Sequence, residues 1–282
     1  MGDSRGLVLS AGAHGGALWE VGMIIGLRRA GVDLGAADLI VGTSQAAFMA
    51  TLTALTDTAD ELEHAVRTIG ERRQQTYVPE VEADQFMHTL YTASDTSPSA
   101  RERRQRLGAL ACESDTERAA PRLDIAIAGL PSDRWPDDRD LVLPTVETES
   151  GERAVWRRAD GVPLPTALRA ACTIPTVFRP VEIAGRHHMD GMAYSLANAD
   201  LAAGHDRVLV LLPLRPLLPD AVVRRELAAL DPGRTTVIGP DAESVEAFKT
   251  SLFDPRIWVT FLEFGQRQAA ARAAEIAAAW TG

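Results

Sequence analysis

Two short apolar runs, residues 6–9 and 39–42, stand out near the start of the chain. Neither is interrupted by polar residues, which is the pattern of a strand buried on both faces of a parallel sheet. From residue 17 the apolar positions recur at helical spacing, with Leu18, Val21 and Ile25 on one face, and Ala30-Gly31 closes the helix. Small, helix-favouring residues run from Ala46 to Leu55 after the second strand. The first 55 residues therefore predict strand, loop, helix, strand, tight turn, helix. In a parallel sheet both loops then lie at the carboxyl ends of their strands, on one edge.

Residues 57–120 are polar and mostly helical in pattern, with a turn-rich break at residues 94–99 and a charge run at 101–106 that reads as a solvated helix face. This region is expected to cover one sheet edge as a lid or a substrate-chain pocket. Residues 141–146 and 153–157 read as a strand pair about a turn at 149–152, and 164–171 as a short helix. Residues 181–183 and 186–189 form a hairpin about Ala184-Gly185 that delivers Asp190-Gly191. Asn198 is expected to cap the helix that follows it. Further strands are expected at 207–212 and 235–239, and a long helix at 256–280. The aromatic cluster at the start of that helix, Trp258, Phe261, Leu262 and Phe264, is expected in the core, with a membrane-surface contact as the alternative. The pattern predicts one α/β domain over residues 1–282, a mostly parallel central sheet with helices on both faces in three layers.

Composition changes this picture little: 46% hydrophobic and 24% charged residues are ordinary for a globular protein. A net charge of −10 argues against a nucleic-acid partner, since phosphate neutralisation needs basic patches. It gives no general attraction to anionic lipid, although transient membrane contact stays compatible with it. Cys112 and Cys172 show no metal-binding or redox spacing, and Met1 to Arg5 lead straight into the first strand without a signal-type segment. A reduced cytoplasm is the expected setting.

Candidate chemistry centres on Gly42-Thr43-Ser44-Gln45-Ala46. A serine between a buried strand and a helix has the placement of a nucleophile elbow, whose turn is tight enough to need small residues two positions to either side. Gly42 and Ala46 supply them. The competing reading is a serine that merely N-caps the helix. The loop Ser10-Ala11-Gly12-Ala13-His14-Gly15-Gly16 sits at a helix N-terminus, where backbone N–H groups lack partners and suit a phosphate or an oxyanion. It lacks the G-x-G-x-x-G spacing of a dinucleotide site, and the next strand ends in Gly42-Thr43-Ser44 rather than an acid. The glycines also suit close helix–strand packing. A serine nucleophile needs a base. His205 precedes the strand at 207–212 and so sits at its amino end, away from the reactive edge; His187 and His188 read as ordinary strand residues. Asp190, before Gly191 at the end of the hairpin, is either a base or a turn aspartate.

Three stations now stand in order: Ala11-Gly12-Ala13-His14-Gly15-Gly16, Gly42-Thr43-Ser44-Gln45-Ala46 and Asp190-Gly191-Met192. Together they resemble the patatin-like phospholipases, an acyl hydrolase family. That family carries a glycine-rich oxyanion loop after the first strand, G-x-S-x-G after the second, and a late D-G-G or D-G-A whose aspartate serves the serine directly. The flanks Trp19-Glu20-Val21-Gly22, Ala170-Ala171-Cys172-Thr173-Ile174-Pro175 and Asn198-Ala199-Asp200-Leu201-Ala202 are similar too, so the likeness extends over at least residues 6–212. The resemblance implies a patatin-like fold and hydrolysis of a carboxylic ester or thioester with an acyl or lipid-like substrate. Ser44 would be the nucleophile, Asp190 the base, and Gly12, Ala13 and His14 the oxyanion donors. Gln45 and Gly191 would contact substrate, and no metal or organic cofactor is implied. Each station departs from the family by one or more glycines: Ala11 and Ala13 in the loop, Ala46 in the elbow, Met192 after Asp190-Gly191. Alanine resists positive φ, so Ala13 is a point where a donor stands to be displaced. Two alternatives follow: an acyltransferase or cyclisation catalyst in which an amine or alcohol intercepts the acyl-enzyme, and a catalytically silent binding module.

Overall fold

The computed structural model of the protein describes residues 3–75, 99–114, 116, 120–251 and 258–281. In chain order the elements are β1 (Arg5–Leu9), α1 (Ala13–Arg29), β2 (Leu39–Gly42), α2 (Gln45–Ala54), α3 (Ala59–Gln75), α4 (Ala100–Glu113) and α5 (Ala120–Ala128). Then come β3 (Asp140–Glu147), β4 (Arg153–Trp156), α6 (Leu164–Ala171), β5 (Val181–Ile183), β6 (Arg186–Asp190) and β7 (Arg207–Leu211). The chain ends with α7 (Asp220–Leu227), β8 (Thr235–Ile238), α8 (Ala242–Ser251) and α9 (Trp258–Thr281).

The uninterrupted apolar runs form the centre of an eight-stranded sheet ordered β5-β6-β3-β2-β1-β7-β8, with β4 pairing on β3. From β3 to β8 the neighbours are parallel. Side chains alternate across the sheet. Leu7, Leu9, Ile40, Leu141 and Leu209 face the main core with α1, α2 and α9, and Val8, Val41, Val142, Val208 and Val210 face the other side. Each such side chain, once fully buried, contributes about 1.5–3 kcal/mol. The sheet is thus flanked by helices on both faces, the α/β architecture the pattern predicts.

β3 is the pivot. Its first residues pair in parallel with β2, and its last residues pair antiparallel with β4 and β6. Thr145 stands opposite Asp190, so β3 carries the hairpin's end toward the edge where β1 and β2 stop. That edge is level: Leu9 pairs with Gly42 on one side and with Leu211 on the other.

Several expectations are refined. Helix α1 begins at Ala13, four residues before the periodic pattern starts, because Gly15 and Gly16 are buried and Gly16 packs on Pro213. Burial there outweighs the poor helix propensity of glycine. The charge run at 101–106 is not simply solvated: Arg101, Gln105 and Arg104 donate to the carbonyls of Ser150, Glu149 and Gly151 in the β3–β4 turn. The break at 94–98 and the start of the last helix at 256–257 lie outside the described residues. Trp258, Phe261 and Leu262 are core residues, and the backbones of α1 and α9 touch. A Cβ added to Gly22 would stand 2.2 Å from the Leu262 carbonyl oxygen. Among the described residues no helix is long and apolar enough to cross a membrane.

Candidate active site

Strand β2 ends at Gly42, and the chain turns at once into α2. The turn is close enough that a Cβ on Gly42 would lie 2.6 Å from both Ala47 Cα and Ala50 Cβ. The turn forces Ser44 to φ 61 and ψ −137, a region an L residue occupies only under strain of about 1–3 kcal/mol. Its hydroxyl makes no capping bond to α2, which removes the N-cap reading. Ser44 is fully buried, and its Oγ has no hydrogen-bond partner. Such strain and an idle buried hydroxyl at a strand end are costly unless the site has another use.

Asp190 closes β6 and is also fully buried. One carboxylate oxygen, Oδ1, accepts from the Met192 N–H at 2.8 Å, and Oδ2 has no partner. Burial pushes the Asp190 pKa up to about 7, while the Met192 N–H and the nearby Ser44 hydroxyl pull it partly back. The hydroxyl is therefore near the carboxylate without forming a bond of good geometry. Catalytic hydrogen bonds are commonly loose before substrate arrives. Behind Asp190, a Cβ on Gly191 would stand 2.4 Å from the Pro144 carbonyl oxygen, so the aspartate is pressed against β3.

The first loop leaves β1 at the sheet edge where β2 also ends, Leu9 being paired with Gly42. Ser10 donates its N–H to Glu20 Oε1 at 2.9 Å and its hydroxyl to the Leu211 carbonyl at 2.7 Å, and the Ala11 N–H bonds the Leu196 carbonyl at 2.7 Å. Ala11 is thus spent on structure. Ala13 and His14 are the first residues of α1. Gly12 is wedged against Pro213: a Cβ there would meet Pro213 Cγ at 2.4 Å. Ala13 takes φ 51, so the alanine occupies the left-handed conformation that glycine would favour instead of moving the loop. Buried Glu20 has its pKa raised well above normal by desolvation, against the Ser10 hydrogen bond.

The cost of Ala13 can be bounded. Strain at positive φ is about 1–2 kcal/mol. Ala13→Gly also loses a buried methyl worth about 0.8 kcal/mol, and glycine is more flexible when unfolded. These terms nearly cancel, so Ala13→Gly is expected to move the melting temperature by only a few degrees and ester hydrolysis by less than about threefold. A gain of about 10²- to 10³-fold, the value of one oxyanion donor, would instead show that the alanine had displaced one.

Gln45 is half-buried beside Ser44 and lines a narrow cavity of about 20 Å³ with Phe48, Leu123, Cys172 and Phe178. Leu123 and Phe178 also wall a larger cavity of about 440 Å³ that includes Arg169, Arg179, Thr173 and the end of α4 at Cys112. His205 bonds the Ala202 carbonyl at the far end of β7, and buried His188 packs on Thr145 and edge-on to Trp156. Neither histidine bonds Ser44. Among the described residues, no cluster of His, Cys, Asp or Glu has the makings of a metal site.

Sequence reasoning missed three contacts. Cys172 Sγ lies 3.2 Å from the Ser44 carbonyl oxygen, Glu20 braces Ser10, and the Asn198 side chain, at the N-cap position of a 3-10 turn, makes no capping bond and reaches Thr43 instead. Asn198 has φ 48, a left-handed backbone that asparagine tolerates, and only a 3-10 turn follows it.

A tight serine turn at the end of a parallel strand, with a buried aspartate near it, sits in an α/β protein. A family model described as patatin-like phospholipase matches residues 7–203, and the chain belongs to that family. No curated protein matches it. Among solved structures it is similar to VipD from Legionella pneumophila, at 12% identity and a TM-score of 0.49, covering 96% of this chain and 67% of that one. It is also similar to the type III effector protein ExoU, at 12% identity and a TM-score of 0.38, covering 97% of this chain and 53% of that one.

Proposed function

We propose that the protein is a serine acyl hydrolase that cleaves a carboxylic ester or thioester of an acyl or lipid-like substrate through a Ser44–Asp190 dyad. One observation carries the reading: a strained, buried Ser44 hydroxyl with no other partner sits beside a buried carboxylate whose pKa is about 7. A carboxylate with that pKa is a far better proton acceptor at neutral pH than an ordinary one.

In the proposed reaction Ser44 Oγ attacks the acyl carbon and Asp190 takes the hydroxyl proton. The N–H groups of Gly12, Ala13 and His14 receive the oxyanion. Asp190 then gives the proton to the departing alcohol or thiol, leaving an acyl-serine. Water, deprotonated by Asp190, attacks that ester, and the proton returns to Ser44 as the acid leaves. None of these steps calls for a metal or an organic cofactor. Gln45 contacts the substrate beside the nucleophile, Gly191 adjoins the base on the side packed against β3, and the cavities walled by Phe178 receive the remainder. A cytoplasmic location and only transient contact with membranes suit this reading.

The base must be ionised to act, so kcat/KM for a p-nitrophenyl acyl ester is expected to rise with pH through a single midpoint near 7 and then level. Ser44→Ala is expected to show no such activity. A flat profile between pH 5 and 9, or activity surviving in Ser44→Ala, would contradict the proposal.

A further inference from the structure

Ser44 and Asp190 come from strands separated by β3 in the sheet, and their hydroxyl and carboxylate are near each other without a hydrogen bond of good geometry. Something else must set their spacing. We infer that Asn198 is a positioning residue that locks the elbow and the aspartate loop in register. The inference rests on the reading of Ser44 and Asp190 as a dyad.

Asn198 is fully buried, and both ends of its amide are used. Nδ2 donates to Ser195 O at 2.9 Å and Thr43 Oγ1 at 3.2 Å, and approaches Gly191 O at 3.5 Å. Thr43 is the residue before Ser44, and Gly191 is the residue after Asp190. One amide group therefore spans the neighbours of both proposed catalytic residues. Its orientation is fixed by chemistry: Oδ1 accepts from Arg153 Nη1 at 3.1 Å, and an arginine can only donate. Arg153 is itself held by Asp200 at 2.7 and 2.5 Å and lies 4.7 Å over the Tyr194 ring. On the other side, Thr43 Oγ1 donates to the Ala197 carbonyl at 3.3 Å, and Ser195 Oγ accepts the Asn198 N–H at 2.8 Å. Buried Glu226 in turn accepts from Ser195 Oγ and, at 3.0 Å, from the Ala197 N–H. The polar groups form a closed circuit, and every member lies on the elbow, on the aspartate loop or on a residue that clamps one of them.

A positioning role predicts a particular failure. Asn198→Gly keeps the left-handed backbone and the bond to Ser195 Oγ but deletes the amide. The two loops then lose their common tie, and a displacement of about 1 Å between reacting groups costs on the order of 10²-fold in rate. The test is the rate of fluorophosphonate labelling of wild type and Asn198→Gly well below their melting temperatures. Alongside it, the Asp190 carboxyl is titrated by ¹³C NMR, with the signal assigned by Asp190→Asn. The expected result is labelling slowed about 10- to 100-fold in folded protein, with the Asp190 midpoint displaced from about 7. Labelling and titration equal to wild type would overturn the inference. If the wild type itself does not label, the dyad reading fails, and the titration alone decides: a displaced midpoint upholds Asn198 as the tie between the loops, and an unchanged one overturns it. If Asn198→Gly does not fold, Asn198→Asp carries the same readouts. It keeps the size and the Arg153 acceptor while removing the Nδ2 donor.

Discussion

Asp190→Asn is expected to lower ester hydrolysis by about 10³- to 10⁴-fold and, at the same time, to stabilise the protein at alkaline pH. The loss follows from removing a general base, which accounts for about 10²- to 10⁴-fold in comparable sites, and neither His188 nor His205 is bonded to Ser44 to replace it. The gain follows from proton linkage. Burial raises the Asp190 pKa from 3.8 to about 7, so the folded state holds a proton that the unfolded chain releases between those values. Stability is therefore fully retained below about pH 4, falls as pH rises toward 7, and levels above it. Every tenfold difference in proton affinity between the folded and unfolded chain is worth about 1.4 kcal/mol, which gives about 4 kcal/mol as an upper bound at pH 8. Asparagine carries no such penalty and keeps an oxygen to accept the Met192 N–H. Thermal melts of the two proteins should nearly coincide at pH 4 and diverge by up to about 10 °C at pH 8, with the variant higher. A variant less stable than wild type at pH 8 would mean that the carboxylate is a structural ion rather than a strained functional one.

Gly42→Ala is the second large effect, and it acts through shape. The added methyl would meet Ala47 Cα and Ala50 Cβ at 2.6 Å, and the Ala46 carbonyl oxygen at 2.9 Å. No side-chain rotation relieves a clash with backbone, so either β2 and α2 separate or the turn opens. Overpacking of this kind costs about 1–3 kcal/mol and occasionally more. Either movement releases Ser44 from φ 61, so activity should fall well beyond what the stability loss explains. Unfolding in urea and hydrolysis measured on the same sample separate the two effects. A stable, fully active Gly42→Ala protein would show that the turn is not as tight as its geometry indicates.

Much of the fold was legible because parallel strands buried on two faces leave uninterrupted apolar runs. β1, β2 and β7 appear within one residue of where the pattern predicts them. Ser44 was legible as a strand-to-helix turn, since small residues on either side are a local requirement. Asp190 was not legible by itself: an aspartate before glycine is a common turn pair, and only the resemblance of three stations singled it out. The N-cap position of Asn198 was legible, but its side-chain partners were not, because they are remote. Its bond to Thr43 joins residues 155 apart in sequence, whereas a helix cap is a local inference. Cys172 and Glu20 were missed for the same kind of reason, their contacts to Ser44 and Ser10 being set by packing. The departures from glycine in the loop were legible as a hazard, and the structure shows how one is met, with Ala13 adopting φ 51.

The most direct measurement is the intact mass of the protein after treatment with a fluorophosphonate, beside Ser44→Ala and Asp190→Asn. The expected result is one adduct on the wild type, none on Ser44→Ala, and slow, partial labelling of Asp190→Asn. A folded wild type that gains no mass would contradict the claim that Ser44 is an activated nucleophile, and would leave the elbow and its buried aspartate as the frame of a binding protein.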